Sequence, residues 1–476
     1  MSERIPVRIL QSSLVASRQA PLMPKAKLKT SDNLIHTRSF TGLFRRLRIS
    51  GAGVLFLLFF GTAWLNWGDR QAVLWDLADS KFHIFGATFW PQDFILLSGL
   101  LIIAAFGLFA ITVFAGRVWC GYTCPQSVWT WLFMWCEKVT EGERNQRIKL
   151  QAAPWSFDKL LRRSVKHSLW LAISVMTALT FVGYFTPIRP LAEELLTLQA
   201  GGVSLFWLLF FTAATYLNAG WLREAVCMHM CPYARFQSVM FDKDTLTISY
   251  DVARGEQRGP RKREVVPAEV GLGDCVDCQL CVQVCPTGID IRDGLQMECI
   301  GCAACIDACD SIMDKMGYAT GLISYTSEHQ LQGGKTRLLR PRLMGYSAVL
   351  LMMVAALAVA LVERPMVSLD VSKDRGLFRE NNLGQIENIY SLKVINKTQQ
   401  PQDYQVTLVG SDGFELHGKT RLSLAPGEIL AVPVSVAMTA QRASSGSQSI
   451  DFKIVDRDEP GIHSVATSRF VAPVDR

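Results

Sequence analysis

Residues 274–310 read DCVDCQLCVQVCPTGIDIRDGLQMECIGCAACIDACD and contain two cysteine runs of identical spacing. The eight cysteines are Cys275, Cys278, Cys281, Cys285, Cys299, Cys302, Cys305 and Cys309. Each run has the pattern C-x2-C-x2-C-x3-C, in which three thiolates bind one iron–sulfur cubane and the fourth binds the other. The stretch therefore predicts a small ferredoxin-like fold that holds two [4Fe–4S] clusters.

The crossed pattern assigns four ligands to each predicted cluster. The first cluster takes Cys275, Cys278, Cys281 and Cys309, and the second takes Cys299, Cys302, Cys305 and Cys285. Paired zinc sites are an alternative, but they usually use two separated C-x2-C knuckles. A disulfide framework is another alternative, and it requires an oxidising compartment. Asp310 follows the second run where Pro286 follows the first, so an added negative charge is expected to tune one reduction potential.

Apolar residues make up 49% of the 476-residue chain, and long uncharged runs indicate a membrane protein. About 20 helical residues cover a hydrocarbon core of about 30 Å. Five uncharged runs have that length: 49–68, 94–116, 168–188, 195–222 and 343–362. The sequence predicts an α-helical membrane protein of about five spans, with four of them in residues 48–241. Residues 1–47 are expected to form a basic tail, and no cleavable signal peptide is visible.

A sixth uncharged run, 118–136, is ambiguous. It contains Pro125 and four tryptophans, and tryptophan is enriched where a membrane meets water. We expect a helix that lies at the interface or re-enters the membrane, and a full span remains the alternative. Cys136, at its end, is predicted to be a packing residue.

Positive charge predicts the orientation. The tail before the first span has ten Lys or Arg, the loop 117–166 has nine, and the connections 69–93 and 189–194 have two and one. The positive-inside rule then places the N-terminus and the predicted clusters in the cytoplasm and the C-terminus on the outer side of the membrane. All thirteen cysteines lie between Cys120 and Cys309, which agrees with thiols kept on the reducing side.

Two further cysteine pairs end apolar hairpins. The sequences GRVWCGYTCPQ and LREAVCMHMCPY each contain a C-x3-C-P motif, formed by Cys120 with Cys124 and by Cys227 with Cys231. In one helix, residues four apart share a side, so each pair would converge on one ligand. Alternatively, Pro125 and Pro232 begin helices and place the thiols near helix N-termini.

The second pair encloses three residues of interest for metal binding. Met228, His229 and Met230 lie between its cysteines, and thiolate, thioether and imidazole ligands favour Cu(I). We take His229 as a candidate ligand beside the four cysteines. The alternative is ordinary packing, since methionine and cysteine are common fillers at such positions.

The remaining segments carry little catalytic signal. Residues 242–270 are charged and contain Gly and Pro, so they are expected to be an exposed linker before the ferredoxin-like domain at 271–336. The basic residues Arg261, Lys262 and Arg263 are candidates for contact with anionic lipid or an electron donor. Residues 363–476 contain short β-branched segments that predict an all-β, immunoglobulin-like sandwich. No feature indicates nucleic-acid binding.

The order of these motifs resembles the CcoG/FixG/RdxA family, accessory proteins of bacterial cbb3-type cytochrome c oxidase. The resemblance runs from about Phe40 to the C-terminus and depends on both C-x3-C-P motifs, the eight-cysteine module and the exported domain. It implies an inner-membrane iron–sulfur protein for oxidase maturation, with cupric reductase activity as its role. By motif, the eight cysteines above are the cluster ligands and the two pairs handle copper.

These observations predict electron transfer to copper. An unidentified cytoplasmic or quinol donor would reduce the clusters, and Cu(II) held by Cys120, Cys124, Cys227 and Cys231 would become Cu(I) for oxidase assembly factors or copper chaperones. Two free thiols can also reduce copper themselves and form a disulfide. A quinol-linked electron-transfer subunit of the polyferredoxin type and a non-catalytic assembly scaffold are the other function classes.

Overall fold

A computed structural model describes residues 35–376, 378–381, 383–410, 413–439 and 446–473. Most of the predicted basic tail, residues 1–34, lies outside the described residues. The α-helices are α1 (Leu43–Phe56), α2 (Phe94–Ala115), α3 (Val118–Tyr122), α4 (Pro125–Glu141), α5 (Arg144–Ala152), α6 (Phe157–Val182), α7 (Ile188–Leu196), α8 (Gly202–Thr215), α9 (Pro232–Met240), α10 (Val252–Gly255), α11 (Leu280–Gln283), α12 (Ala304–Met316), α13 (Glu328–Leu331) and α14 (Pro341–Val362). Segments of π-helix, Leu57–Gly61 and Tyr216–Leu222, extend α1 and α8, and a third covers Val226–Met230.

The strands fall into three regions of the chain. They are β1 (Asn66–Trp67), β2 (Arg70–Gln71), β3 (Val73–Asp76), β4 (Lys81–Ile84), β5 (Ala87–Phe89), β6 (Thr247–Tyr250), β7 (Ile323–Thr326), β8 (Val367–Lys373), β9 (Arg379–Glu380), β10 (Gln385–Asn396), β11 (Gln402–Val409), β12 (Phe414–Gly418), β13 (Arg421–Leu424), β14 (Ile429–Thr439), β15 (Gly446–Asp456) and β16 (His463–Ala472). The first region, β1–β5, lies between α1 and α2, and the last, β8–β16, follows α14.

Four helices of the described residues are long and apolar enough to cross a membrane. They are Phe94–Ala115, Phe157–Val182, Gly202–Leu222 and Pro341–Val362. Each overlaps one of the predicted spans, so the chain is a membrane protein. The predicted first span, 49–68, is not among them. Its helix begins earlier, at Leu43, and ends at Gly61, because the residues after it turn into the β1–β2 hairpin.

Two other predicted boundaries were wrong. The predicted span 168–188 belongs to α6, which begins at Phe157, where Ser156 accepts a hydrogen bond from the Lys159 backbone N–H and caps the helix. The predicted span 195–222 begins instead at Gly202, since Leu195 belongs to the separate helix α7. The ambiguous run 118–136 is divided into α3 and α4 by a break before Cys124.

The C-terminal residues form the predicted β-sandwich. One sheet has the order β12-β14-β10-β8, with β9 also on β10, and the other has the order β13-β11-β15-β16. Tyr390, Leu392, Tyr404, Phe452 and Phe470 are almost completely buried between the sheets. The alternating burial along β10 and β15 is the pattern expected of strands with one face on a core.

An ion cluster joins this sandwich to the membrane domain. Asp93 precedes α2 and lies 2.5 Å from the Arg364 guanidinium and 3.0 Å from the Lys397 ammonium. All three side chains are at most 10% exposed. Since a buried carboxylate requires such partners, the contact fixes the sandwich at the end of the bundle where α2 begins.

The cysteine runs lie at the opposite end of α2 in a small α/β module. Strand β6 pairs with β7, and Ile248 and Tyr250 of β6 are buried in the module core. Part of the predicted linker 242–270 is therefore a strand of the module. Arg261 of that segment packs on the Tyr318 ring at 5.2 Å and donates to its hydroxyl at 3.0 Å.

The N-terminal segment holds the module against the helices. The backbone N–H of Arg38 donates to the Gln283 carbonyl at 2.9 Å. The Asp307 carboxylate accepts from the backbone N–H groups of Phe44 and Arg45 at 3.2 and 2.7 Å. Because free N–H groups at a helix start favour an anion, Asp307 of α12 anchors the start of α1.

Candidate iron–sulfur module and thiol site

The two cysteine runs share one backbone conformation. Asp277 and Gln279 of the first run have φ of 50° and 53°, and Gly301 and Ala303, which occupy the same places in the second run, have φ of 66° and 58°. Left-handed conformation is costly for residues other than glycine, and it persists where the surroundings require it. The repetition at equivalent positions indicates that both loops are shaped to wrap around the same kind of group.

The module brings the cysteines together in the crossed arrangement. Burial and the nearby negative charges, which include the thiolates of Cys281, Cys275 and Cys278, together raise the pKa of Cys309 to about 12. Burial likewise raises the pKa of Cys299 to about 12, with Cys302 and Cys285 as its thiolate neighbours. The fourth cysteine of each run therefore lies with the first three of the other.

A small cavity marks the second of these groups. Its wall includes Cys285, Cys299, Cys302 and Cys305, together with Cys281 of the first group. All thirteen cysteines lie within the described residues, and none of them forms a disulfide. Among the residues that the structure describes, no three His, Cys, Asp or Glu side chains are placed to hold a single metal ion.

The donor set fits iron–sulfur clusters. Eight thiols on two wrapped loops supply soft sulfur ligands at the spacing that cubanes use. Burial keeps thiols such as Cys281, Cys299 and Cys309 protonated by raising each pKa to about 12. A coordinated metal deprotonates a thiol outright, so cluster binding supplies the positive charge that these buried sulfurs require as thiolates.

The two C-x3-C-P loops also repeat each other. Gly116 ends α2 with φ 56° and ψ −122°, and Arg223 ends the second hairpin with φ 43° and ψ −115°. Cys124 and Cys231 are the N-cap residues of α4 and α9, and a proline follows each at the first helical position. The alternative with the prolines at helix starts is the one observed. The prediction that one helix runs through both cysteines of a pair was wrong, because the second cysteine of each pair has an extended backbone conformation.

The two loops bring their four thiols near one another. Burial and the neighbouring thiolates of Cys124, Cys120 and Cys231 together raise the pKa of Cys227 to about 12. Burial raises the pKa of Cys120 to about 11, with Cys124 and Cys231 among its charged neighbours. His229, which lies between Cys227 and Cys231 in the chain, is exposed, and Met230 is 63% exposed.

The first loop touches the second cysteine run directly. A Cβ atom at Gly121 would lie 2.8 Å from the Cys302 Cα and 2.8 Å from the Gly301 carbonyl oxygen, so no side chain fits there. Cys120 packs against the buried cluster of residues that contains Cys302. This contact places a thiol of the first pair beside the loop of the second predicted cluster.

Two polar residues that the motifs did not single out hold this contact. Gln237 is fully buried, and its side-chain N–H lies 3.4 Å from the Cys120 sulfur. The Arg117 guanidinium donates to the carbonyls of Cys299 at 3.3 Å and Ala234 at 2.6 Å. Arg117 precedes the first pair by three residues, but only the fold shows that it bridges to the cysteine run.

A buried ion network supports the second loop. Glu137 of α4 accepts from Arg223 at 2.5 Å and from Arg147 at 2.9 Å. Burial alone would raise the pKa of Glu137, but the two guanidinium groups hold it below its usual value. Cys136, next to Glu137, is buried with Phe133 and Trp170, as expected for a packing residue.

Comparison with known proteins identifies the modules. Residues 222–328 match the family model of a 4Fe-4S dicluster domain. Residues 357–473 match the model described as an IG-like fold at the C-terminal of FixG. The first match covers all eight cysteines of the runs, and the second covers the sandwich.

Curated relatives match over most of the chain. Protein RdxA of Cereibacter sphaeroides is 40% identical over 421 residues, covering 85% of this chain and 87% of that protein. Protein RdxB of the same organism is 39% identical over 444 residues, covering 90% and 89%. Nitrogen fixation protein FixG of Rhizobium meliloti is 39% identical over 408 residues, covering 78% of both chains. The chain is therefore a membrane iron–sulfur electron-transfer protein that belongs to the FixG/RdxA family.

Proposed function

We propose that this protein reduces Cu(II) to Cu(I) at the thiols of its two C-x3-C-P loops and so supports assembly of a cbb3-type cytochrome c oxidase. One observation carries the proposal: Gly121 allows the first loop to touch the Gly301–Cys302 backbone without an intervening side chain. Cys120 packs against the buried residues around Cys302, which supports electron transfer from the predicted second cluster through this thiol.

The chain's own residues have distinct roles in this reaction. Two [4Fe–4S] clusters, held by the eight cysteines in the crossed pattern, would supply electrons one at a time. Two thiols at a time from the group Cys120, Cys124, Cys227 and Cys231 would bind Cu(II), since no three of the described side chains surround a single ion. The bound Cu(II) takes one electron and becomes Cu(I), the state that thiolates favour. Gln237 orients the Cys120 sulfur through its N–H. The exposed His229 would be an entry or exit ligand.

The proposed orientation follows the positive-inside rule. The N-terminus, the cysteine module and the thiol site would lie in the cytoplasm of a bacterial cell, at the inner membrane. The sandwich would lie in the periplasm, anchored by Asp93, and would be the surface for oxidase assembly partners. Helix α1 with its π-helical extension would be a fifth, short span. Copper chaperones would receive Cu(I) at the cytoplasmic end.

The test uses anaerobically purified, full-length protein in nanodiscs with a reduced dye as donor. Cys227→Ser/Cys231→Ser is expected to slow Cu(II) reduction by about tenfold or more, equivalent to at least about 1.4 kcal/mol in the barrier. Iron and sulfide content should stay unchanged. Cys136→Ala, which removes a cysteine outside the four-thiol group, is the control and should keep the parent rate.

The thiols alone could also reduce copper, and stoichiometry separates the two routes. Two thiols give two electrons and one disulfide, so thiol chemistry without clusters stops after two Cu(II) ions per pair. Continued turnover with a constant thiol count supports the proposal. A single burst with loss of thiols would overturn it, as would an unchanged rate in the double serine variant.

A quinol-linked electron-transfer role is the second candidate, and one cavity favours it. A cavity of about 220 Å³ lies where α2 ends, and Ala115, Phe241 and Leu246 line it together with Cys299 of the second run. An apolar cavity of about 150 Å³ already accepts a benzene ring. Binding of a short-chain quinone that Leu246→Trp abolishes would favour this role, and copper-independent quinol oxidation would establish it over copper reduction.

A further inference from the structure

A basic cavity lies between the N-terminal segment, α4 and the first cysteine run. Five cations line it: Arg38, Arg45, Arg48, Lys138 and Arg147. Val284 and Pro286, on either side of Cys285, form another part of its wall. The cavity is therefore adjacent to a predicted cluster ligand, but it is separate from the four-thiol group.

The cations of this cavity exceed its carboxylates. Glu143 is the acidic residue in the wall, and Lys138 lies 2.9 Å from it. Among the described residues, no carboxylate lies within ion-pair distance of the Arg38, Arg45 or Arg48 side chains. The Arg45 and Arg48 guanidinium groups instead donate to the carbonyls of Phe40 at 2.5 Å and Gly121 at 3.1 Å. Uncompensated positive charge is thus concentrated here.

One cation also has an unsatisfied donor. The Arg147 side chain is 3% exposed, and it donates to Glu137 at 2.9 Å and to the Thr37 carbonyl at 2.6 Å. Its Nε has no hydrogen-bond partner among the described residues. A buried guanidinium N–H left unpaired is costly, so an oxygen acceptor is expected at this position.

The rim of the cavity has the composition of a membrane interface. Trp131 and Trp135 of α4 line it, and Trp135 is 50% exposed. Leu43 and Leu47 of α1 are 64% and 51% exposed nearby in the chain, beside Arg45 and Arg48. Tryptophan and exposed leucine next to arginine are typical of the headgroup region of a bilayer, whereas a site for a soluble phosphate compound does not require an apolar rim.

We propose that this cavity binds the phosphate group of an anionic phospholipid, with the headgroup between α1, α4 and the loop that carries Cys285. The lipid oxygens would accept from Arg38, Arg45 and Arg147, and the acyl chains would follow the exposed leucines into the bilayer. Such a lipid would hold the cysteine module on the membrane surface. The three consecutive basic residues at 261–263 are less suited to this role, because Arg261 is engaged with Tyr318.

The test compares phosphatidylglycerol with phosphatidylcholine. Full-length protein is released from nanodiscs that contain equal amounts of both lipids, and native mass spectrometry measures which lipid stays bound. We expect selective retention of phosphatidylglycerol. Each basic residue near an anionic membrane surface contributes about 1 kcal/mol, or about fivefold, so Arg38→Gln/Arg45→Gln should reduce retention by about 25-fold. Arg46→Gln is the matched control, since Arg46 is exposed on the same turn of α1 outside the cavity wall and should retain the lipid.

Three outcomes would overturn the proposal. They are equal retention of both lipids, unchanged retention in the double variant, and displacement of the lipid by inorganic phosphate at equal concentration, which would indicate a site for soluble phosphate. Thermal unfolding of each variant, monitored by circular dichroism, checks that the fold persists. If the double variant does not fold, Arg38→Gln alone provides the same test and should reduce retention by about fivefold.

Discussion

The two C-x3-C-P loops have nearly the same backbone but different surroundings. Gly116 and Arg223 have matching backbone conformations with a positive φ, and each precedes its first cysteine by four residues. At the next equivalent position, however, the first loop has Gly121 and the second has Met228. The first loop is pressed against the Gly301–Cys302 backbone, whereas the second presents exposed residues such as Met230.

This difference suggests that the two loops have different roles although their backbones are similar. The first loop contacts the cysteine module, and Gly121 has no side chain to keep its backbone away from the Gly301–Cys302 backbone. The second loop is accessible to copper from solvent, since His229 and Met230, which lie between its cysteines, are exposed. Electrons would therefore enter the four-thiol group through Cys120, and copper would enter and leave beside Cys231.

The strongest test of this division is Gly121→Val. Its Cβ would lie 2.8 Å from the Cys302 Cα, so either the first loop or the second cysteine run must move. Overpacking of this kind costs typically about 1–3 kcal/mol, and here the strain falls on the loop that carries three ligands of one predicted cluster. We expect loss of about half of the iron, as two equal clusters require, together with loss of Cu(II) reduction. Iron and sulfide analysis and EPR measure the effect.

The equivalent change in the second loop provides the control. Met228→Val should leave iron content unchanged, because the second loop already accommodates a side chain at this position. If both variants lost iron equally, the two loops would be equivalent and the proposed path through Cys120 would be wrong.

Arg223→Gly makes the second loop resemble the first at the end of its hairpin. Glycine relieves the strain of a positive φ at arginine, which is about 1–3 kcal/mol. It also removes one partner of the buried Glu137 pair, which costs about 3–5 kcal/mol. We expect a net destabilisation of about 2 kcal/mol, measured by thermal unfolding in nanodiscs. Arg162→Gln, at an exposed pair with Asp158, should change stability by less than about 1 kcal/mol; an equal effect at both sites would contradict the role of burial.

Local spacing was enough to predict the cysteine module. The crossed assignment of cluster ligands stays a prediction from the positions of Cys285 and Cys309, and the thiol neighbours of Cys309 and Cys299 are those that it requires. The positions of long helices also follow from uncharged runs, because the membrane core imposes a length. The ends of those helices cannot be predicted in this way. Helix α1 begins before three arginines, and its π-helical extension ends at Gly61, shortly before the β1–β2 hairpin.

The contacts that unite the two sites were beyond sequence reasoning. Cys120 and Cys302 are 182 positions apart. No turn motif in the sequence around Gly121 explains why a glycine is needed at that position. A positive φ at Arg223 contradicts residue preference, and the arginine is explained by its contacts with the buried Glu137, the Gly220 carbonyl and the Trp170 ring. Contacts between residues so far apart in the chain leave no periodicity or characteristic spacing in the sequence from which they could be predicted.

The thiol pKa values predict how copper binding depends on pH. Burial raises the pKa of Cys120 to about 11 and of Cys227 to about 12, so both are protonated at pH 7 and must release protons to bind metal. Cu(I) affinity should therefore rise with pH from 7 to 9, by about tenfold per pH unit for each thiol proton released. Competition with a chelator of known pH dependence measures the slope. Cys227→Ser should lower the slope by one proton, and a slope unaffected by that change would exclude Cys227 from the site.

The smallest expected effect comes from a substitution that keeps Cys120 but removes the hydrogen bond that orients its sulfur. Gln237→Leu keeps the volume of the buried side chain but removes the N–H that lies 3.4 Å from the Cys120 sulfur. A single hydrogen bond contributes about 0.5–1.5 kcal/mol, so Cu(II) reduction should slow by about twofold to tenfold. Because that hydrogen bond favours the thiolate, its loss should also raise the pKa of Cys120, which alkylation rates as a function of pH can measure. Gln237→Glu would place a negative charge beside the thiolate and should raise that pKa further. A lower pKa in the glutamate variant would show that the side chain at 237 does not face the sulfur.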